Sequence, residues 1–335
     1  MADMTDMADM DKPRTLIIGI SGCSSSGKTT LARLLRDMFP NTFILHEDDF
    51  YKPEAELPTK NGLTDWDCPE AISIPDLEAA LVHIRETGTF PVSTCSRMPA
   101  CSRRSSHGCP CAPSPPLPPL SPPLTPPSHS QLLQPQPTTN SPLITPATKQ
   151  PSLTSKEDLN TIGPCPASPS QIAACTAAIQ AWLAPPHPGS LIFSPSKNTR
   201  ICLLDGFLLY SPPLFAKVMA LLDVKLFLHA TRDAAVRRRE ARDGYVTLEG
   251  FWKDPPGYVE GVVWPNYVQA HRWMFEGGDV ERGVVDGAVV WREGVVVAPE
   301  GEFGGVLEWA VRVVRGEVER VCLGEADGVE VNGKE

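Results

Sequence analysis

The stretch "GISGCSSSGKTT" (Gly19–Thr30) follows the apolar run "TLII" and contains Gly22-x-x-x-x-Gly27-Lys28-Thr29. Glycines at this spacing allow a tight turn whose amides point inward at phosphate oxygens. The helix that follows adds its positive N-terminal end. Gly22, Cys23, Ser24, Ser25, Ser26, Gly27 and Thr30 form the cradle, Lys28 reaches the β- and γ-phosphates, and the Thr29 hydroxyl can ligate Mg²⁺. Chance gives this pattern in roughly one chain in a hundred of this length. The strand before it and the helix after it therefore decide for a phosphate site over an ordinary glycine-rich turn.

Three further stretches carry groups that could act on a phosphate. "HEDDFYKP" (His46–Pro53) ends an apolar run, and strand ends in open α/β sheets face the ligand crevice. Asp48 and Asp49 arrive there, Asp48 the stronger candidate, to accept a proton from an attacking hydroxyl or to help hold Mg²⁺. Alone, such a pair is more often a cap or a solvated turn. "ICLLDGFLLY" puts Asp205 after four apolar residues, the form of a Walker B strand whose acid organises magnesium. "AAVRRREARDG" sets Arg237, Arg238, Arg239 and Arg242 on one helix. Arg238 and Arg242 share a face at i,i+4 while Arg239 points elsewhere, so one segment can address two ligands. Guanidinium forks pair with phosphate and stack on bases. "NGLTDWDCPEAIS" adds Trp66 and Asp67, suited to sandwich a base and grip ribose hydroxyls, although a buried Trp and a capping Asp fit equally well.

These residues need a scaffold that delivers strand ends to one edge. Apolar, β-branched runs at "TLIIGI", "TFILHE", "ICLLDGFLLY", "VKLFLHA" and "GAVVW" read as strands. Between and after them, "GKTTLARLLRDMF", "IPDLEAALVHIRETG", "PPLFAKVMALLD", "TRDAAVRRREARDG" and "GGVLEWAVRVVRGEVERV" read as helices. The alternation predicts an α/β fold with a parallel sheet sandwiched by helices. Of the chain's 36 prolines, 24 fall between Pro91 and Pro195. "APSPPLPPLSPPLTPPSHSQLLQPQPTT" can form neither helix nor central strand, because proline fixes φ and lacks the amide donor. The expected layout is a disordered 1–13, a first part of the P-loop domain at 14–92 and a mostly disordered insertion at 93–199. The second part with its lid follows at 200–322, then a flexible tail at 323–335. Within the insertion, a helix near 168–184 is expected from Ile172, Cys175, Ile179 and Trp182. Its polyproline runs have the form of SH3 or WW ligands, with a tolerated surface insertion the favoured alternative.

The net charge of -10 argues against general nucleic-acid binding. Ten cysteines form no paired metal spacing, and Cys23 and Cys202 read as buried thiols of a reducing compartment. No signal peptide or membrane-length apolar run is evident, so a cytoplasmic protein is expected, with the nucleus as a second open compartment.

"IIGISGCSSSGKTTLA", "DDFYKPE", "NGLTDWD", "DGFLLY", "RRR" and "PGYVEGVVWPNY" together resemble the nicotinamide riboside kinase family, within the wider uridine kinase group of P-loop kinases. The resemblance spans 14 to about 90 and about 200 to 290, omitting the insertion. It implies the P-loop NTPase fold, ATP with Mg²⁺, and phosphorylation of the 5′-hydroxyl of nicotinamide riboside, nicotinic acid riboside being a second candidate. By the same resemblance, Asp48 is the general base and lies near magnesium with Thr29, while Lys28 and Asp205 complete the catalytic set. Asp48, Asp49, Phe50, Tyr51, Trp66, Asp67 and Arg239 bind the nucleoside, Arg238 and Arg242 serve ATP, and Tyr245 is the expected substrate contact from the lid. Relatives often carry Glu where Asp205 stands, one methylene longer. Two alternatives remain at this stage: a uridine/cytidine-type kinase, and a non-catalytic nucleotide-binding scaffold that recruits partners through the insertion.

Overall fold

The computed structural model describes residues 14–91, 164–242, 244–246 and 251–324. Its centre is a five-stranded sheet of β1 (Thr15–Gly22), β2 (Thr42–His46), β3 (Arg200–Asp205), β4 (Val224–Leu228) and β5 (Val295–Val297). The order is β2-β3-β1-β4-β5 and every pairing is parallel. Parallel strands need crossovers, and helices supply them on both faces. Along β1, Leu16, Ile18 and Ile20 enter one apolar core while Ile17 enters the other, the period-2 alternation of a strand buried on both sides.

One face is covered by α1 (Lys28–Met38), α3 (Pro169–Leu183) and the closing α7 (Phe303–Leu323). The other carries α2 (Ile74–Thr87) and the stretch from Leu208 to Leu222. Between β4 and β5 come α4 (Arg232–Glu240), α5 (Trp264–His271) and α6 (Gly287–Arg292). Ser168 caps α3: its hydroxyl accepts from the Gln171 amide at 3.2 Å, and the Gln171 side chain accepts from the Ser168 amide at 3.0 Å. Cys175, Ile179 and Trp182 are its buried stripe, and the Trp182 indole donates to Glu319 of α7 at 2.6 Å.

Several elements differ from the sequence expectation. "GAVVW" is not a strand but α6, because the Asp286 carboxylate accepts from the amides of Ala288 and Val289 and starts a helical turn. The edge strand is instead "VVV" at Val295–Val297, reached after Gly294 turns the chain at φ 68°. "PPLFAKVMALLD" forms two 3-10 turns, Pro212–Leu214 and Met219–Leu221, in place of one helix. "ICLLDGFLLY" stops being strand at Asp205, since Glu47 rather than a neighbouring strand takes the Phe207 and Leu208 amides. Arg242 lies just beyond α4, whose C-cap is Ala241.

Among the described residues the cysteines are all free, and no helix is long and apolar enough to cross a membrane. The polyproline runs and the acidic N-terminus lie outside the described residues.

Candidate active site

The carboxyl ends of β1, β2 and β3 open on one edge, where register sets His46 beside Asp205 and lets β1 continue to Gly22. The loop Cys23–Gly27 leaves from there. Gly22 has φ 149°, and a Cβ on it would sit 2.2 Å from the Leu228 carbonyl oxygen, so only glycine fits beside β4. Ser25 and Gly27 also take positive φ, which curls the loop before α1 begins at Lys28. A cavity of about 370 Å³ lies over it, lined by Ser24–Thr30, His46, Asp48, Asp205, Arg238 and Arg242 among others. That volume falls within the range of small-molecule sites.

Charge and hydroxyl groups meet at the cavity floor. Lys28 Nζ donates to the Cys23 carbonyl at 2.9 Å. Thr29 Oγ1 donates to Asp205 Oδ2 at 2.6 Å, and His46 Nδ1 stands 3.3 Å from the same oxygen. Burial pushes the Asp205 carboxyl up, but His46, Lys28 and Thr29 outweigh it and leave it below the ordinary carboxylate value. Asp205 is thus an ionised carboxylate in direct contact with the P-loop hydroxyl, despite being a short acid. Burial pushes the Cys23 thiol up to about 11, so it is a packing residue rather than a nucleophile.

Asp48 and Asp49 share the 3-10 turn Glu47–Phe50, and Asp48 lines the cavity. Phe50 does not point there: at 5% exposure it packs in the core with Ile72 and Leu77. Tyr51 instead meets Trp66 edge-on, ring centroids 5.3 Å apart, and Trp66 meets Trp252 at 5.9 Å. The Trp66 indole nitrogen is buried without a hydrogen-bond partner.

Arg239 turns away from Arg238, as helical spacing requires, and enters a buried clamp. Its Nη1 and Nη2 donate to the two Asp67 oxygens at 2.7 and 3.0 Å, and its Nε and Nη2 donate to Asp254 at 2.7 and 3.1 Å. The Tyr258 hydroxyl adds a bond to Asp67 at 3.2 Å. The Asp67 loop is fixed from behind by Asp65, whose oxygens accept from Asn266 Nδ2, each at 2.9 Å, while Lys60 donates to Asn266 Oδ1 at 2.6 Å.

Sequence reasoning singled out Asp67 and Arg239 but not Asp254, Asp65 or Lys60. Asp254 follows Arg239 by fifteen positions, beyond the end of the arginine helix, so no periodicity links them. His46 and Glu47 sit inside a quoted motif, yet only the tertiary structure shows what they touch: Asp205 for His46, and the Phe207 and Leu208 amides for Glu47. Tyr245 pairs its backbone with Trp252 in a two-residue ladder, and its side chain lies outside the described residues.

Nicotinamide riboside kinase of Schizosaccharomyces pombe is 31% identical to this chain over 273 residues, covering 82% of this chain and 86% of that protein. The chain belongs to the nicotinamide riboside kinase family. The Saccharomyces cerevisiae nicotinamide riboside kinase is 25% identical over 279 residues, 83% of this chain and 85% of its own length. Nicotinamide riboside kinase 1 of Homo sapiens matches a shorter block, 46% identical over 69 residues, 20% of this chain and 35% of that protein. No family model matches the chain. In this member of the nicotinamide riboside kinase family the P-loop and Asp205 are joined by a direct hydrogen bond, and the clamp around Arg239 forms a second buried centre.

Proposed function

We propose that this chain transfers the γ-phosphoryl group of ATP to the 5′-hydroxyl of nicotinamide riboside, yielding the mononucleotide and ADP. The observation that carries the reading is the meeting of Asp48, Lys28, Thr29 and Asp205 around one cavity in a chain of this family. The hydroxyl oxygen attacks Pγ, the bond from Pγ to the bridging oxygen breaks, and ADP leaves with that electron pair. Asp48 takes the hydroxyl proton. Phosphoryl transfer of this kind is mainly positioning and charge stabilisation, supplied by the loop amides, Lys28, Arg238 and Arg242.

Thr29 and the carboxylates of Asp205 and Asp48 fit Mg²⁺. They are hard oxygen donors, and magnesium is commonly held by one or two carboxylates plus the substrate phosphates. No cluster of three acidic, His or Cys side chains exists among the described residues to cage a metal without the nucleotide. When bound, the ion neutralises charge developing on the phosphate oxygens.

At the acceptor side, Tyr51 and Trp66 offer aromatic faces to a cationic pyridinium ring, an interaction a neutral base lacks. Asp67, whose two oxygens are held by Arg239 and Tyr258, fixes the loop that carries Trp66 beside that ring. The test is ADP release over a panel of nicotinamide riboside, nicotinic acid riboside, uridine and cytidine, with wild type and Asp48→Ala. The expected result is preference for nicotinamide riboside and loss of turnover in Asp48→Ala with an unchanged melting temperature. Preference for uridine overturns the acceptor, and full activity of the variant overturns the base.

A further inference from the structure

The proline-rich insertion returns to the fold at Pro164–Ala167, and this return segment stands beside the nucleotide cavity. Pro164 and Pro166 line the cavity together with Phe303, the first residue of α7. Neither proline belongs to any motif that carried the functional reading.

The segment is anchored at its Ala167 end by a chain of contacts. Ala167 is buried in the core under α1 and α7, and Ser168 begins the capped helix α3. Gln171, one turn into α3, lies against the backbone of Gly304, where an added Cβ would meet the Gln171 amide at 1.9 Å. Phe303, next to Gly304, lays its ring on the last glycine of the P-loop, where a Cβ on Gly27 would meet that ring at 2.9 Å. The insertion helix, the start of α7 and the P-loop therefore form one packed unit, and the two prolines are held at its mouth.

The chemistry of the cavity divides in two. The P-loop, Lys28 and Thr29 take the phosphates, and Asp48, His46 and Asp205 mark the end where the γ-phosphate meets the acceptor. The base of the donor must lie away from that end. The groups left for it are Arg238 and Arg242, which can stack, and the apolar surfaces of Phe303, Pro164 and Pro166. Flat apolar faces with a guanidinium are what a purine base packs on.

We infer that Pro164 and Pro166 form, with Phe303, the wall against which the purine base of the donor nucleotide packs, so that the return end of the insertion is part of the donor site. This rests on the reading of the cavity as the ATP site. Proline has no N–H, so at these two positions the wall touches the face of the base and donates no hydrogen bond to its edge.

The test is the full-length Pro164→Gly/Pro166→Gly variant, assayed with nicotinamide riboside and ATP. Inorganic tripolyphosphate serves as a baseless competitor against ATP. The KM for ATP is expected to rise about five-fold, the loss that roughly 40 Å² of buried apolar contact would give. The inhibition constant of tripolyphosphate, the KM for riboside and the melting temperature are expected to stay unchanged. An unchanged KM for ATP overturns the wall. An equal rise in the tripolyphosphate constant overturns it too, since the segment would then act on the phosphates. A lowered melting temperature with both KM values raised overturns it as general loosening. If wild type shows no riboside-dependent turnover, the acceptor reading fails separately, and calorimetric ATP binding to wild type and variant still decides the wall by the same five-fold difference.

Discussion

Arg239→Ala removes the cation that Asp67 and Asp254 both face. Asp67 is almost fully buried and Asp254 nearly so, with side-chain exposures of 4% and 13%. Four hydrogen bonds from the guanidinium vanish, and two carboxylates are left to repel each other. Breaking a buried pair by removing one partner costs about 3–5 kcal/mol, because the remaining charge stays desolvated. For a folded unit of this size that lowers the melting temperature by about 6–20 °C. The clamp also orients Asp67, so the KM for riboside should rise even at a temperature where the variant is folded. Thermal melts and riboside saturation curves measure the two effects. Adding Asp67→Asn and Asp254→Asn to Arg239→Met should recover most of the lost stability, since no unpaired charge remains, while the KM stays high. An Arg239→Ala melting temperature within about 2 °C of wild type would refute the clamp as a buried charge network.

Other perturbations test the remaining parts. Asp205→Asn keeps the shape but loses the charge beside Thr29, so the Mg²⁺ concentration giving half-maximal turnover should rise at least about ten-fold, read from a magnesium titration. Glu47→Ala strips the acceptor from the Phe207 and Leu208 amides, which should cost about 1–3 kcal/mol in urea unfolding and lower kcat through the Asp205 turn. His271 is buried between Phe227 and Tyr267, and burial lowers its pKa from 6.5 to about 4. The native state keeps it neutral while the unfolded chain protonates below its ordinary value. Its contribution to stability is therefore present above about pH 6.5 and lost as pH falls towards about 4, at up to about 1.4 kcal/mol per pH unit. Urea unfolding of His271→Phe across that window should show a shallower acid decline than wild type, and parallel curves would disprove the assignment.

Residues that act through local backbone geometry were readable from order alone. The spacing of Gly22, Gly27, Lys28 and Thr29 encodes a turn and a helix start within a few residues, and these need no distant partner. The strands β1 to β4 were legible because burial on both faces demands continuous apolar runs. "GAVVW" misled for the same reason: its valines fit a strand, but the Asp286 side chain had already satisfied the amides that a strand would have paired. Phe50 misled differently, since a motif lends significance to every residue it contains, while a short turn sends neighbouring side chains in different directions.

By itself, the sequence determined that a glycine-rich turn of phosphate-cradling form stands at the first strand end, that acids stand at the next two, and that an arginine-rich helix follows the fourth strand. It could not determine contacts between segments far apart along the chain. Thr29 meets Asp205 across 176 positions, Arg239 meets Asp67 across 172, and the insertion's return segment borders the nucleotide cavity. Such pairings follow from strand order and helix packing, which are set by burying the whole apolar surface at once. Local propensity carries no record of them, and only the tertiary structure decided which acid binds the loop hydroxyl and which one holds the arginine.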